Sequence, residues 1–522
     1  MHSLKVKILL FLSLSLFGVN VLAQVENKNN QTPTDTTAIE LKDVVINSTK
    51  DIKVTGLTAG KIVFNPESMS TMPSLSGGTD LLKLLELTPG VQNAGDANSN
   101  TYVRGGDPGQ NLLIYDDIPL YSSGHLLGFF SLFNSDHISS LELHKSGISS
   151  RYGGRLSSVI NVTTPKSIPN KTSVKANVGL LATQFTVELP ISEKFGLYLS
   201  GRKTYLEWII QPLINSTVNN GAKNKVEELN YDFFDTNLTL IGKVSDKDRL
   251  TVNAMWGKDK FFINDMDMSL DGVLNWQNRL LSLKWDRTIG KNLFTQQVYF
   301  SNYLNNLSSD QAQVNMSIFS EIQDLSYRNR YLFSVNHIAF ETGIQYAYHT
   351  IQPQSITITN ISTINNNITD KIKAHEANIY GDMKFDINPR FSAELGIRAN
   401  LFHYNTNIFS VEPRAKLSYQ LNNTSIVRLA YHRQNQFMNM LSPTSVGLPL
   451  EFWVAAGKEL PHQTGDDISA GYNISLFDDA INLSVDAYYR SMRNVNEYNQ
   501  TITSDANKTY LDNTLSGKGR AY

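Results

Sequence analysis

From about residue 171 onward the chain adopts a two-residue period and keeps it. In VKANVGL (174–180), Val174, Ala176, Val178 and Leu180 alternate with Lys175, Asn177 and Gly179. FSAELGIRAN (391–400) and INLSVDAYYR (481–490) repeat the pattern, as do Leu250, Val252, Ala254 and Trp256. Alternation sustained over about ten residues describes a tilted membrane-crossing strand with one apolar and one polar face. A soluble sandwich also alternates, but its strands typically run about 5–6 residues. No run of 18 apolar residues follows residue 23, so no α-helical span is expected.

Connection lengths alternate as well. SDKD (245–248), NP (388–389) and NNT (422–424) are short enough for periplasmic turns, whereas polar stretches near 204–230, 259–277, 304–326, 349–374 and 434–463 read as extracellular loops. Trp208, Trp276, Trp285, Tyr303, Tyr404 and Tyr498 are candidates for an interfacial aromatic girdle.

The first third of the chain is organised differently. Lys5 and Lys7 precede the apolar run 8–19, and Val21-Leu22-Ala23 provides small-residue cleavage chemistry, so residues 1–23 read as a secretory signal peptide. Residues 24–38 lack apolar content and read as a linker, within a flexible segment 24–50. The segment carries one apolar patch, Leu41, Val44, Val45 and Ile46. SGGTDLLKLLELTPG (76–90) is the best helix: Thr79 can cap it, Asp80 suits its positive end, and Leu81, Leu82, Leu84 and Leu85 supply a buried face. Three short apolar runs follow, Leu112–Ile114, Ile138–Leu143 and Val159–Val162, bounded by turns rich in glycine or aspartate. Gly105-Gly106 and Gly153-Gly154 mark backbone conformations closed to other residues, and Arg104, Arg151 and Arg155 accompany them. No phosphate-binding glycine motif follows a strand and opens a helix. Helix and strands alternate, which makes residues 51–168 a small α/β domain.

The order VRGG (103–106), an apolar strand ending in Asp116-Asp117, ISSLELHKSG (138–147), then RYGGRLSSVINV (151–162) resembles the plug domain of TonB-dependent outer-membrane receptors. The resemblance covers about residues 40–165 at motif level. EPRAKLSYQL and SIVRLAYHRQ (412–434) and LPHQTGDDISAGYN (460–473) resemble barrel segments of the same family, with less specificity. The implied fold is mainly β: a transmembrane antiparallel β-barrel over 169–522 with the α/β plug in its lumen. Plugged transporters have 22 strands, against about 14 or 15 candidates here. NTLSGKGRAY also lacks the alternation of a closing strand, so the barrel is expected to be C-terminally truncated.

The resemblance further implies a function. The receptor binds a scarce solute, a siderophore–iron chelate or similar large molecule, at the surface of a Gram-negative cell, and imports it when TonB and its inner-membrane energising complex move the plug. Leu41, Val44, Val45 and Ile46 resemble the TonB box, an extended segment that pairs by strand addition; the other reading makes them the first plug strand. Tyr121, His125, Phe129 and Phe130, in the loop 119–133, are candidate substrate-binding residues; alternatively these rings pack plug against wall. Arg104, Arg151 and Arg155 are expected to pair with barrel carboxylates, because an unpaired buried charge is costly. A monomeric barrel in outer-membrane lipid is expected.

Other chemistries find little support. Cysteine is absent, so disulfides and thiolate sites are excluded, and a net charge of −2 gives no argument for nucleic acid. No HExxH, G-x-S-x-G or EF-hand loop occurs. His432 and His462 lie near a long loop within reach of a metal chelate, though such histidines are usually just polar; DMDMSLDG (265–272) reads as a solvated loop rather than a Ca²⁺ site. No catalytic residue, metal site or cofactor is expected. The competing class is a secreted β-rich glycan-binding or structural surface protein.

Overall fold

The long alternating segments form one 17-stranded sheet in which sequence neighbours pair antiparallel, from Ser173–Val178 to Thr514–Ala521. The computed structural model describes residues 60–64, 80–93, 100–125, 128–213, 226–265, 270–311, 314–360, 364–367, 370–442, 450–477, 480–499 and 510–522. The signal peptide, the linker, Leu41, Val44, Val45, Ile46 and Thr79 lie outside them.

The sheet is inside-out relative to a soluble protein. Leu281, Ile379, Ile397 and Phe409 are 55%, 61%, 55% and 69% exposed, while Asn237, Asn253, Ser301 and Asp324 are buried. An exposed apolar belt around a polar interior is stable where lipid bathes the outside and polar groups line the lumen. Every strand pairs laterally, as a membrane requires of backbone donors and acceptors. Among the described residues no pairing joins the first strand to the last.

Short turns fall where expected, at 244–247, 389–390 and 423–424, and further ones at 290–291 and 336–337. Gly290 (φ 63°) and Asn336 (φ 56°) supply the left-handed backbone that two-residue hairpins need. The predicted long loops are a correction. Most of 259–277, 304–326 and 349–374 is strand, within elements such as Val314–Val335 and Ile338–Asn360. A strand of 22 residues spans roughly 70 Å, far more than crossing requires. Outside the bilayer both faces meet water, so polar sequence does not end a strand while its ladder bonds continue.

Inside the sheet's curve sits a second, five-stranded sheet, ordered Lys61–Phe64, Ser140–His144, Ser158–Thr163, Asn111–Tyr115, Ile118–Pro119. The three predicted apolar runs are its central strands, and one pair, 111–115 with 158–162, is parallel. Helix α1 (Leu81–Glu86) covers this sheet with Leu81, Leu82, Leu84 and Leu85. It is shorter than 76–90. Its cap is Asp80, whose Oδ1 accepts from the N–H groups of Leu82 (3.0 Å) and Lys83 (3.3 Å) and whose Oδ2 accepts from Ser131 N–H (2.6 Å). Asp80→Ala therefore costs the cap and a tertiary bond together, about 1–2 kcal/mol, read as faster amide exchange in α1 and at Ser131. The plug core also takes in Met255, Leu280 and Tyr299 from the barrel wall. A second helix, α2 (Leu206–Leu213), stands within 204–230, where only a loop is expected from the sequence.

Of the girdle candidates, Trp276 and Tyr303 are buried in the lumen, Trp276 Nε1 donating to Gly124 O at 3.3 Å. Trp208 is 79% exposed. Aromatic content alone does not tell which strand face a ring occupies; registration against the plug does.

Candidate functional site

The chemistry of this molecule is concentrated where plug meets barrel. His125 is wholly buried, its ring stacked on Phe233 (4.6 Å between centroids) and held between Asp259 (Nδ1 2.7 Å) and Asp235 (Nε2 3.4 Å). Tyr121 donates its hydroxyl to Asp324 and meets Trp453 edge-on at 4.9 Å. Phe130 is buried against Phe233 at 5.9 Å. Three of the four proposed substrate contacts thus seal plug to wall, the packing alternative, because two carboxylates and a ring offer His125 a better site than open water. Phe129 remains 38% exposed.

Burial opposes charge on His125, but Asp259 and Asp235 outweigh it and raise its pKa above the ordinary value. A raised folded-state pKa contributes its full stabilisation below the unfolded value, about 6.5, and loses it as pH climbs through the folded one. His137, by contrast, is pulled down to about 4 by burial and stays neutral across this window. Protease cleavage of the plug should therefore accelerate as pH rises above neutral, and His125→Gln should flatten that dependence. An identical pH profile in the variant would remove His125 as its origin.

The three plug arginines, expected to pair with barrel carboxylates, are partnered differently. Arg104, at φ 48°, reaches barrel Asp486 (3.6 Å) and lies over Tyr488 (4.7 Å). Arg151 pairs chiefly within the plug, with Asp117 at 2.6 Å, and only at 3.8 Å with barrel Glu341. Arg155 has no carboxylate within 4.0 Å among the described residues. Its guanidinium donates to the carbonyls of Gly154 (2.8 Å) and Met438 (3.5 Å) and lies on the Trp453 ring (4.5 Å).

The stronger clamps run the other way, from barrel arginines to plug carbonyls. Arg202 donates to Ser131 O (2.6 Å), Arg398 to Ser150 O and Arg151 O (3.3 and 3.2 Å), Arg414 to Ile148 O (3.3 Å) and Ser149 O, and Arg490 to Val103 O (3.3 Å) and Ser157 O (3.0 Å). Three of these guanidinium groups are also paired on the barrel: Arg202 with Asp235 (2.7 Å), Arg414 with Glu412 (2.6 Å) and Arg490 with Asp467 (3.1 Å). Barrel Asp382 accepts from the N–H of Ser150 (2.9 Å) and the hydroxyl of Ser149 (2.8 Å). Sequence reasoning missed this set. The only available signal was charge on the polar strand face; Arg202–Asp235 and Arg490–Asp467 become neighbours through strand register.

Of the stretch 434–463, expected as an extracellular loop, residues 434–436 and 463 lie in barrel strands and the described residues 437–442 and 450–455 fold inward. Met438–Leu441 pairs with Phe452–Ala455, and Phe437, Trp453 and Ala455 are buried in one cluster with Tyr121 and Phe130. Asn305 donates to Glu451 O at 2.7 Å and Gln436 to Gly109 O at 2.9 Å, which ties the segment to both wall and plug. His432 is buried in the lumen, 3.8 Å from Asp467, rather than presented on a loop. Among the described residues no group of three or more potential ligands could hold a metal ion.

A membrane-crossing sheet with an apolar exterior, wrapped around a smaller α/β layer that buried charge clamps in place, defines a plugged outer-membrane-type barrel. Comparison with known proteins agrees. The family "TonB dependent receptor-like, beta-barrel" matches residues 207–522, and "TonB-dependent Receptor Plug Domain" matches 68–159. The chain belongs to the TonB-dependent receptors. Among solved structures it resembles the outer membrane transporter YddB from Escherichia coli, with TM-score 0.65 and 12% identity over 88% of this chain and 72% of that one. A ferric enterobactin receptor (PfeA) mutant from Pseudomonas aeruginosa gives 0.63 and 13%, over 87% and 74%. The ferric yersiniabactin uptake receptor FyuA from Yersinia pestis gives 0.60 and 13%, over 83% and 72%. No curated protein matches.

Proposed function

We propose that this receptor resides in the outer membrane of a Gram-negative bacterium and actively imports a large, scarce solute, a ferric siderophore or a chelate of similar size. The observation that carries this reading is the plug enclosed by an inside-out sheet and clamped from many strands. Such a barrel cannot pass a large solute until the plug moves, so uptake needs an energy source outside this chain. In this reading TonB and its inner-membrane complex supply it, drawing on the proton-motive force through strand addition at Leu41, Val44, Val45 and Ile46. Phe129, 38% exposed at the plug's 119–133 loop, is proposed as a substrate contact. The solute class is supported by the ferric enterobactin and ferric yersiniabactin receptors among the structural neighbours.

Cells expressing the receptor under iron limitation are expected to accumulate labelled ferric siderophore, with accumulation abolished by a protonophore. The protein itself should partition with outer-membrane detergent extracts and migrate faster on gels before heating than after. Fully soluble behaviour would favour the secreted glycan-binding or structural class; an outer-membrane protein that takes up no siderophore would redirect the solute class alone.

A further inference from the structure

A cavity of about 80 Å³ lies in the seam between plug and barrel wall. Of the guanidinium groups lining it, those of Arg155, Arg328 and Arg398 have no carboxylate within 4.0 Å among the described residues. Arg155, from the plug, relies on two carbonyls and the faces of Trp453 (4.5 Å) and Tyr121 (5.8 Å). Arg398, from the wall and 2% exposed, commits Nε to Asn400 (2.8 Å) and Nη1 to plug carbonyls. Arg328 donates Nη1 to Asp117 O and lies over the Tyr299 ring (5.2 Å), while its buried Nε has no partner.

The acids nearby are engaged elsewhere. Asp117 holds Arg151 at 2.6 Å, Glu341 holds Arg330 at 2.8 Å, and Asp324 and Glu376 flank His349 at 2.6 and 3.7 Å. Arg151, Arg155, Arg328, Arg330 and Arg398 thus outnumber these four carboxylates even with Glu341 counted. A guanidinium carries five N–H donors and no acceptor, and a buried cation lacking a counter-charge costs several kcal/mol. The cavity is several times the roughly 10–15 Å³ that one water needs.

We propose that this cavity binds a small tetrahedral oxyanion of the phosphate or sulfate class, as a counter-ion bridging Arg155 on the plug to Arg328 and Arg398 on the wall. Planar guanidinium forks match oxyanion geometry. The bound ion fastens the plug along the strands that carry residues 324–330 and 398, whatever solute the receptor imports.

The test uses the full chain in detergent, titrated with inorganic phosphate or sulfate against chloride at constant ionic strength. The unfolding midpoint should rise saturably with the oxyanions and not with chloride, and crystals soaked in selenate should show an anomalous peak within the cavity. Arg328→Met should weaken the apparent affinity roughly tenfold, the loss of one charge-assisted bond. Arg328→Lys should retain some of it. Arg328 is only half-buried whereas Arg398 is 2% exposed, so substitution at Arg328 puts less of the fold at risk. Absence of saturable stabilisation, a cavity holding water alone, or an unchanged midpoint curve in Arg328→Met would each overturn the assignment.

Discussion

Arg490→Ala should destabilise the receptor by about 3–5 kcal/mol and release the plug to proteases before the barrel unfolds. Its guanidinium is wholly buried, bonded to Asp467 (3.1 Å), Ser157 Oγ (2.9 Å) and Ser157 O (3.0 Å), with Val103 O and Arg104 O at 3.3 and 3.4 Å. Truncation strands a buried carboxylate on Asp467, which is 2% exposed, together with several plug carbonyls. That stranded charge, more than the lost attraction, sets the magnitude. Arg490→Lys should recover some of the loss, because a point charge satisfies Asp467 without the planar fork. Adding Asp467→Asn to Arg490→Ala should also restore stability to a degree, since it removes the uncompensated charge. Urea unfolding in detergent, with plug proteolysis as the local probe, measures all three. A change below about 1 kcal/mol for Arg490→Ala would mean that the clamp is not what holds the plug.

Deleting residues 40–47 should reduce energised uptake to the level of protonophore-treated cells and leave surface binding of the same solute within about twofold. The segment lies ahead of Lys61–Phe64, which among the described residues is the edge strand of the plug sheet and pairs on one side only, with Ser140–His144. Tension entering from the N-terminal side reaches that strand first. Its four register pairs can separate in succession, beginning at Lys61–His144, and the Lys61–Glu142 ion pair (3.0 Å) breaks early in that sequence. Binding does not use that path, so it should survive. Uptake equal to wild type would remove the assignment of Leu41, Val44, Val45 and Ile46 to TonB pairing; loss of binding as well would point to a folding defect instead.

Much of the architecture is local information. Alternation at Leu395 and Ile397, which are 41% and 55% exposed, records which face meets lipid, and the runs at 112–114, 138–143 and 159–162 each became a plug strand. Loop lengths were less legible. The ladder bonds of Ile338–Asn360 run on through the mostly polar stretch 352–360, where Ile356 and Ile358 alternate too briefly to mark a strand. The inward placement of Met438–Leu441 and Phe452–Ala455 depends on Trp453 and Phe452 finding burial against distant residues.

What this sequence by itself determined was a set of periods and short motifs, namely two-faced spans, a leucine-lined helix and paired glycines; the plugged barrel came from their resemblance to a known family. Which charges hold the plug was decided only in three dimensions. Arg202 meets Asp235, and Arg490 meets Asp467, across strand registers that join residues 33 and 23 positions apart. Arg490 and Ser157 are separated by 333 positions. An electrostatic contact depends on distance in space, and the period of a strand specifies which face a side chain takes without specifying what stands opposite it.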